Sequence, residues 1–132
     1  MKKMLLLALV SIFIMASCKQ EGNKPVPLMK QEIKNNVRYK MFPTENIWTF
    51  LKLDTRNGKI WQVQYSINDN YRGKIELNDK ALVSENIAEN GRFTLYPTKN
   101  MYNFILLDQI DGKMWQVQWS TAPENRGILP IF

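Results

Sequence analysis

Histidine is absent from the chain, and cysteine occurs once, at Cys18. Without imidazole the commonest general base is missing, and with it the usual Ser and Cys triads and most zinc sites. A single cysteine also excludes any disulfide within the chain. Basic residues form no dense tract, and the formal net charge is only +6, which argues against nucleic acid as a partner. Glycine-rich phosphate loops and acidic calcium loops are missing as well. No cofactor or metal is expected. Long apolar runs are scarce: the main one, Met4 to Met15, falls short of the ~20 residues that a membrane-spanning helix needs.

What the chain does have is a duplication. The segment from Arg38 to about Leu77 returns without a gap, shifted by 54 positions, as Arg92 to Ile131. About sixteen of some forty aligned positions are identical, and such repetition fixes the architecture before any other signal is read.

Each copy shows short apolar runs cut by turn residues, the pattern of an all-β domain. The clearest piece runs Trp48 to Asp54, then Thr55-Arg56-Asn57-Gly58, then Lys59 to Tyr65. Asn-Gly between alternating runs predicts a hairpin with a type I′ turn, and Asp111-Gly112 does the same in the second copy. A two- or four-residue loop puts even positions of the first strand on one face with odd positions of the second. One face then carries Trp48, Phe50, Trp61, Val63 and Tyr65, matched by Tyr102, Phe104, Leu106, Trp115, Val117 and Trp119. The other carries Thr49, Leu51, Ile60, Gln62 and Gln64, matched by Asn103, Ile105, Met114, Gln116 and Gln118. The aromatic faces are expected to be the core, because each buried ring contributes about 1.5–3 kcal/mol.

A further strand precedes each hairpin and stops at Pro43-Thr44 or Pro97-Thr98; another follows Arg72-Gly73 or Arg126-Gly127. Pro130 suits an edge strand, since it has no N–H to donate. The expectation is two tandem four-stranded antiparallel repeats, packed with pseudo-twofold symmetry as a small β-sandwich or partly open barrel.

The N-terminus reads as a targeting segment. Lys2 and Lys3 precede the apolar run, which ends in Met15-Ala16-Ser17-Cys18. This resembles the lipobox of bacterial lipoproteins, with Met15 in place of the usual Leu. The resemblance implies that residues 1–17 are a helical signal peptide and that Cys18 becomes the acylated first residue of the mature chain. Multiple acyl chains would hold the protein stably on a membrane. Residues 18–36 read as the lipidated cysteine and a flexible tether, 37–77 as the first repeat, 78–91 as a linker and 92–132 as the second repeat.

Two groups of residues are candidates for chemistry. Gln62, Gln64, Gln116 and Gln118 are all retained through the duplication, on strands, beside aromatics. Amides both donate and accept, and rings stack on the C–H face of a sugar, so this pattern suits glycan recognition; solvent exposure or cross-strand amide pairing would explain it equally. Arg72 and Arg126 are retained too, and hydrogen bonds to nearby backbone carbonyls account for them as well as a ligand would. Asp54 and Asp108 are the repeat-related carboxylates that a hydrolase would need, although their place beside tight turns suits capping.

The units Leu53-Asp54-(three residues)-Gly58-Lys59-Ile60-Trp61 and Leu107-Asp108-(three residues)-Gly112-Lys113-Met114-Trp115 resemble a hairpin of many bacterial proteins of unknown function. They are distantly similar to the turns of quinoprotein-type propeller blades, though the Trp lies one position closer to the Lys. The wider chain resembles small duplicated lipoproteins of gut-type bacteria. That resemblance implies a cell-envelope protein, anchored through Cys18, most often at the outer membrane. Three functions follow as expectations: a non-catalytic protein that binds a glycan or envelope protein or serves as an accessory subunit, a lectin assembling an oligomeric propeller, or a carboxylate-dependent hydrolase.

Overall fold

The computed structural model describes residues 36–132. The expected signal peptide, Cys18 and nearly all of the tether lie outside the described residues.

Eight strands follow in chain order. β1 (Tyr39–Pro43), β2 (Thr49–Asp54), β3 (Ile60–Gln64) and β4 (Gly73–Asn78) form one antiparallel meander. β5 (Phe93–Pro97), β6 (Asn103–Asp108), β7 (Met114–Gln118) and β8 (Gly127–Ile131) form its repeat. The two four-stranded sheets pack as a small sandwich and do not close into a barrel, as the duplication implied. Pro130 lies on the edge strand β8, as expected.

Each central hairpin is closed by a four-residue loop, with the Asp54 N–H donating to the carbonyl of Lys59 at 2.9 Å and that of Asp108 to Lys113 at 2.9 Å. Within these loops only the glycines, Gly58 at φ +80° and Gly112 at +73°, take left-handed backbone. The type I′ expectation, which needs two such residues, is therefore corrected. The loop length still preserves the expected parity: Phe50 pairs with Val63 and Leu51 with Gln62, while Phe104 pairs with Val117 and Ile105 with Gln116.

Which face is buried differs between the repeats. The second sheet buries its aromatic face, through Phe93, Leu95, Phe104, Leu106, Val117 and Trp119. The first sheet buries the opposite one, through Leu51, Leu53, Ile60 and Leu77, with Gln62 among them. The expectation that Trp48, Phe50, Trp61, Val63 and Tyr65 point into the core is thus overturned. Three substitutions explain why. On the aromatic face of the first sheet stand Lys52, Lys74 and Glu76, where the second sheet has Leu106, Ile128 and Pro130. Burying three such charges without partners would cost far more than the rings return. They stay at the surface instead, with the Lys52 ammonium 4.4 Å from the Tyr39 ring centroid and 5.2 Å from that of Trp61.

A twofold axis would bring like faces together. Here the amide-bearing face of the first sheet meets the aromatic face of the second, so the second sheet follows the first as the next layer of a stack. Equivalent parts accordingly lie side by side. The β1–β2 and β5–β6 turns border one small cavity of about 20 Å³, and the Phe93 N–H at the start of β5 donates to the carbonyl of Thr55 at 2.8 Å. Thr55 is the tie between repeats: its hydroxyl donates to the carbonyl of Val37 at 2.7 Å and accepts from the Gly91 N–H at 2.9 Å.

Candidate functional site

The retained glutamines and arginines do converge, once in each repeat. Gln62, Gln64, Arg72, Gly73 and Ile75 line a cleft of about 200 Å³ together with Asn70 and Tyr71. Gln116, Gln118, Arg126, Gly127 and Leu129 line its equivalent, about 250 Å³, with Glu124 and Asn125. Both open at the end of the sheet where β3 turns into β4, or β7 into β8.

Local chemistry builds each cleft in the same way. After β3 the chain turns through a short 3₁₀ segment, Asp69–Tyr71, and after β7 through Pro123–Asn125. The Ser66 hydroxyl oxygen accepts from the Asn68 N–H at 3.1 Å, and Ser120 accepts from Ala122 at 3.1 Å. Each arginine then braces its loop. Arg72 donates to the Ser66 carbonyl at 3.3 Å and pairs with Asp69, while Arg126 donates to the carbonyls of Ser120 at 2.6 Å and Thr121 at 2.8 Å. Backbone bracing thus accounts for these arginines, whose remaining N–H groups border the cleft.

Glycine makes the room. Gln64 pairs across the ladder with Gly73, and Gln118 with Gly127. A Cβ built on either glycine would meet nothing within 4 Å, so the space over each glycine, opposite its glutamine, is empty.

The four glutamines have separate roles. Gln62 is buried, and its carbonyl oxygen accepts from the Ser120 N–H at 3.3 Å, which links the two sheets. Gln116 donates to the side-chain oxygen of Asn103 at 3.1 Å. Both are structural: the Gln116 contact is the cross-strand amide pairing weighed from the sequence, whereas the contact of Gln62 with the other sheet was not anticipated. Gln64 and Gln118 make no side-chain hydrogen bond among the described residues, which leaves the donor and acceptor of each amide without a protein partner there.

The first cleft alone continues into an aromatic shelf. Trp48, Tyr65, Ser66 and Tyr71 border an adjoining hollow of about 210 Å³ that shares Gln64 with the cleft, and the Trp48 and Tyr65 rings stand 5.4 Å apart. In the second repeat Trp119, the equivalent of Tyr65, is buried in the core and Asn125 replaces Tyr71. Composition alone could not reveal this difference, because it arises from which face each sheet buries.

The carboxylates are committed elsewhere. Asp54 pairs with Arg38 at 3.1 Å and accepts from the Arg56 N–H at 3.1 Å. Asp108 takes Arg92 on both oxygens at 3.0 Å and accepts the N–H groups of Ile110 at 3.0 Å and Asp111 at 3.2 Å. Burial pushes the Asp108 carboxyl up, but Arg92 and the two amides outweigh it and hold the group below the usual carboxylate range. The capping role read from the turn positions is what both residues perform. Arg92, buried beside Asp108, was missed from sequence; its retention opposite Arg38 was the available signal. Among the described residues, no group of three or more acidic or cysteine side chains is placed to hold a metal ion.

No protein-family model matches the chain, and neither does any curated protein or solved structure.

Proposed function

We propose that the protein is a non-catalytic binding module of the cell envelope, tethered through lipid on Cys18 at the outer membrane, that takes sugar rings at its two amide clefts. The observation that carries this reading is the recurrence, in both repeats, of an unpartnered glutamine beside a glycine-made gap and a braced arginine. A protein under no demand at these positions would not need the same opening twice. An amide that donates and accepts, with an aromatic shelf alongside, is the chemistry that recognises hydroxyls on one edge of a sugar and C–H groups on its face. Cleft volumes below the ~300–1,000 Å³ of drug-sized pockets favour a single ring or chain terminus. The shelf of Trp48, Tyr65 and Tyr71 makes the first cleft the stronger of the two.

Glycan-array binding of the purified chain, followed by titration with the best hit, tests the reading. Gln64→Ala with Gln118→Ala should weaken binding by about tenfold or more, the loss of hydrogen bonds worth about 1.4 kcal/mol. Titration of an array hit that is unaffected by the double substitution, or an array without hits, contradicts the assignment. Gln62→Ala is unsuitable, because it breaks the contact between sheets.

A further inference from the structure

We infer that the protein assembles head to tail with further copies of itself, the outer aromatic face of the first sheet seating on the outer amide face of the second sheet of the next copy. The template is inside the chain. The joint between its own sheets is heterologous, amide face against aromatic face, and each outer face is the repeat equivalent of one of the two buried there. Met41 is 51% exposed, yet its equivalent Leu95 is 3% exposed in the internal joint. Met114 is 41% exposed, and its equivalent Ile60 is completely buried. A stack whose two ends display the halves of its own joint is open at both ends.

The polar contacts of the internal joint have counterparts as well. Gln62 accepts from the Ser120 N–H inside the chain; between copies Gln116 would accept from Ser66. Phe93 donates to the carbonyl of Thr55 inside; between copies Tyr39 would donate to Gln109. Lys52, Lys74 and Glu76 make the joint between copies weaker than the internal one. The lysine stems cover the rings while their ammonium ends require acceptors, which the amide oxygens of Asn103 and Gln116 on the facing sheet offer, and Glu76 keeps the Trp61 indole N–H as its own partner. Association is therefore reversible, and Lys52→Leu, which restores the leucine of the second repeat, tightens it.

Heterologous contacts make rings when the rotation closes. Radially repeated four-stranded sheets close at about four to eight layers, so the assembly is a ring of two to four copies. The first cleft stays open at the rim of the internal joint, and repetition of that geometry leaves every cleft accessible on one ring. Avidity for a repetitive glycan would follow, a consequence that rests on the proposed function, whereas the assembly does not.

Light scattering of the full chain in mild detergent, with the detergent mass subtracted, provides the test. The expected result is one discrete species above monomer mass. Met41→Lys blocks one face and Met114→Lys the other, and each variant alone should be monomeric. An equimolar mixture should form a heterodimer and nothing larger, because each partner lends its one intact face; this outcome also shows that both variants fold. A monomeric native chain, which leaves these faces to another protein or to the membrane surface, overturns the inference. Association that survives both substitutions, or a mixture that stays monomeric, overturns it too.

Discussion

Arg92 and Arg38 occupy equivalent positions in the two repeats, yet the consequences of removing them should differ sharply. The Arg92 side chain is 3% exposed and Asp108 not at all, whereas Arg38 is half exposed over a buried Asp54. Arg92 makes three short contacts with Asp108, at 2.8–3.0 Å, and a further donation to the carbonyl of Ile87 at 2.9 Å. Arg92→Ala would leave a buried carboxylate with only the N–H groups of Ile110 and Asp111, and breaking such a pair costs about 3–5 kcal/mol. With a urea slope of about 1–3 kcal/mol per molar, the unfolding midpoint should fall by roughly 2 M. Arg38→Ala should cost a small part of that, since water reaches the site it vacates.

The pH dependence separates this account from a simple loss of packing. In the native chain the folded pKa of Asp108 is depressed, so the contribution of the pair is complete above the unfolded value near 3.8 and is lost as pH falls through the lower, folded one. In Arg92→Ala the burial that opposes ionisation is no longer outweighed, so the folded pKa should rise. The deficit of the variant should then shrink on acidification from pH 7 towards 4. Equal losses for the two arginine variants, or a deficit for Arg92→Ala that is independent of pH, would refute the reasoning.

Substitutions at Gly58 and Thr55 probe the joint between repeats, with Gly112 as the comparison. A Cβ on Gly58 would lie 2.8 Å from Leu82 Cδ1, at φ +80°, while Gly112 at +73° has open space. Gly112→Ala should cost the backbone strain alone, about 1 kcal/mol, and Gly58→Ala measurably more in the same denaturation assay. Thr55→Val keeps the shape but removes the acceptor for the Gly91 N–H and the donor to Val37, for a loss of about 1–3 kcal/mol. Amide exchange at Gly91 should accelerate in that variant, and unchanged protection there would deny Thr55 its role as the tie.

Much of the fold was legible because the duplication displayed the same punctuation twice. Pro-Thr before one hairpin strand, Asn-Gly or Asp-Gly within the hairpin and Arg-Gly after it marked eight strands, and loop length fixed their parity. The convergence of Gln64 with Arg72, and of Gln118 with Arg126, followed from that parity and from the shared turn. The buried face of the first sheet was misread. Its rings outnumber those of the opposite face, but Lys52, Lys74 and Glu76 interleave with them, and charge decides burial where aromatic count does not. No local pattern could show that unlike faces meet, because stacking depends on which face each repeat can afford to dry. The role of Gln62 was illegible for the same reason, since its partner lies 58 positions away in the other sheet.

The equivalence of Lys52 and Leu106 gives the most direct test of stacked unlike faces. Unfolding free energies should be measured for Leu106→Lys and Lys52→Leu side by side. Leu106 is completely buried, so an ammonium placed there should remove about 4 kcal/mol or more, while Lys52→Leu should leave stability within about 0.5 kcal/mol or raise it. Similar losses from both exchanges, or a greater loss at position 52, would mean that the two aromatic faces are buried alike and that the stacking described above is wrong.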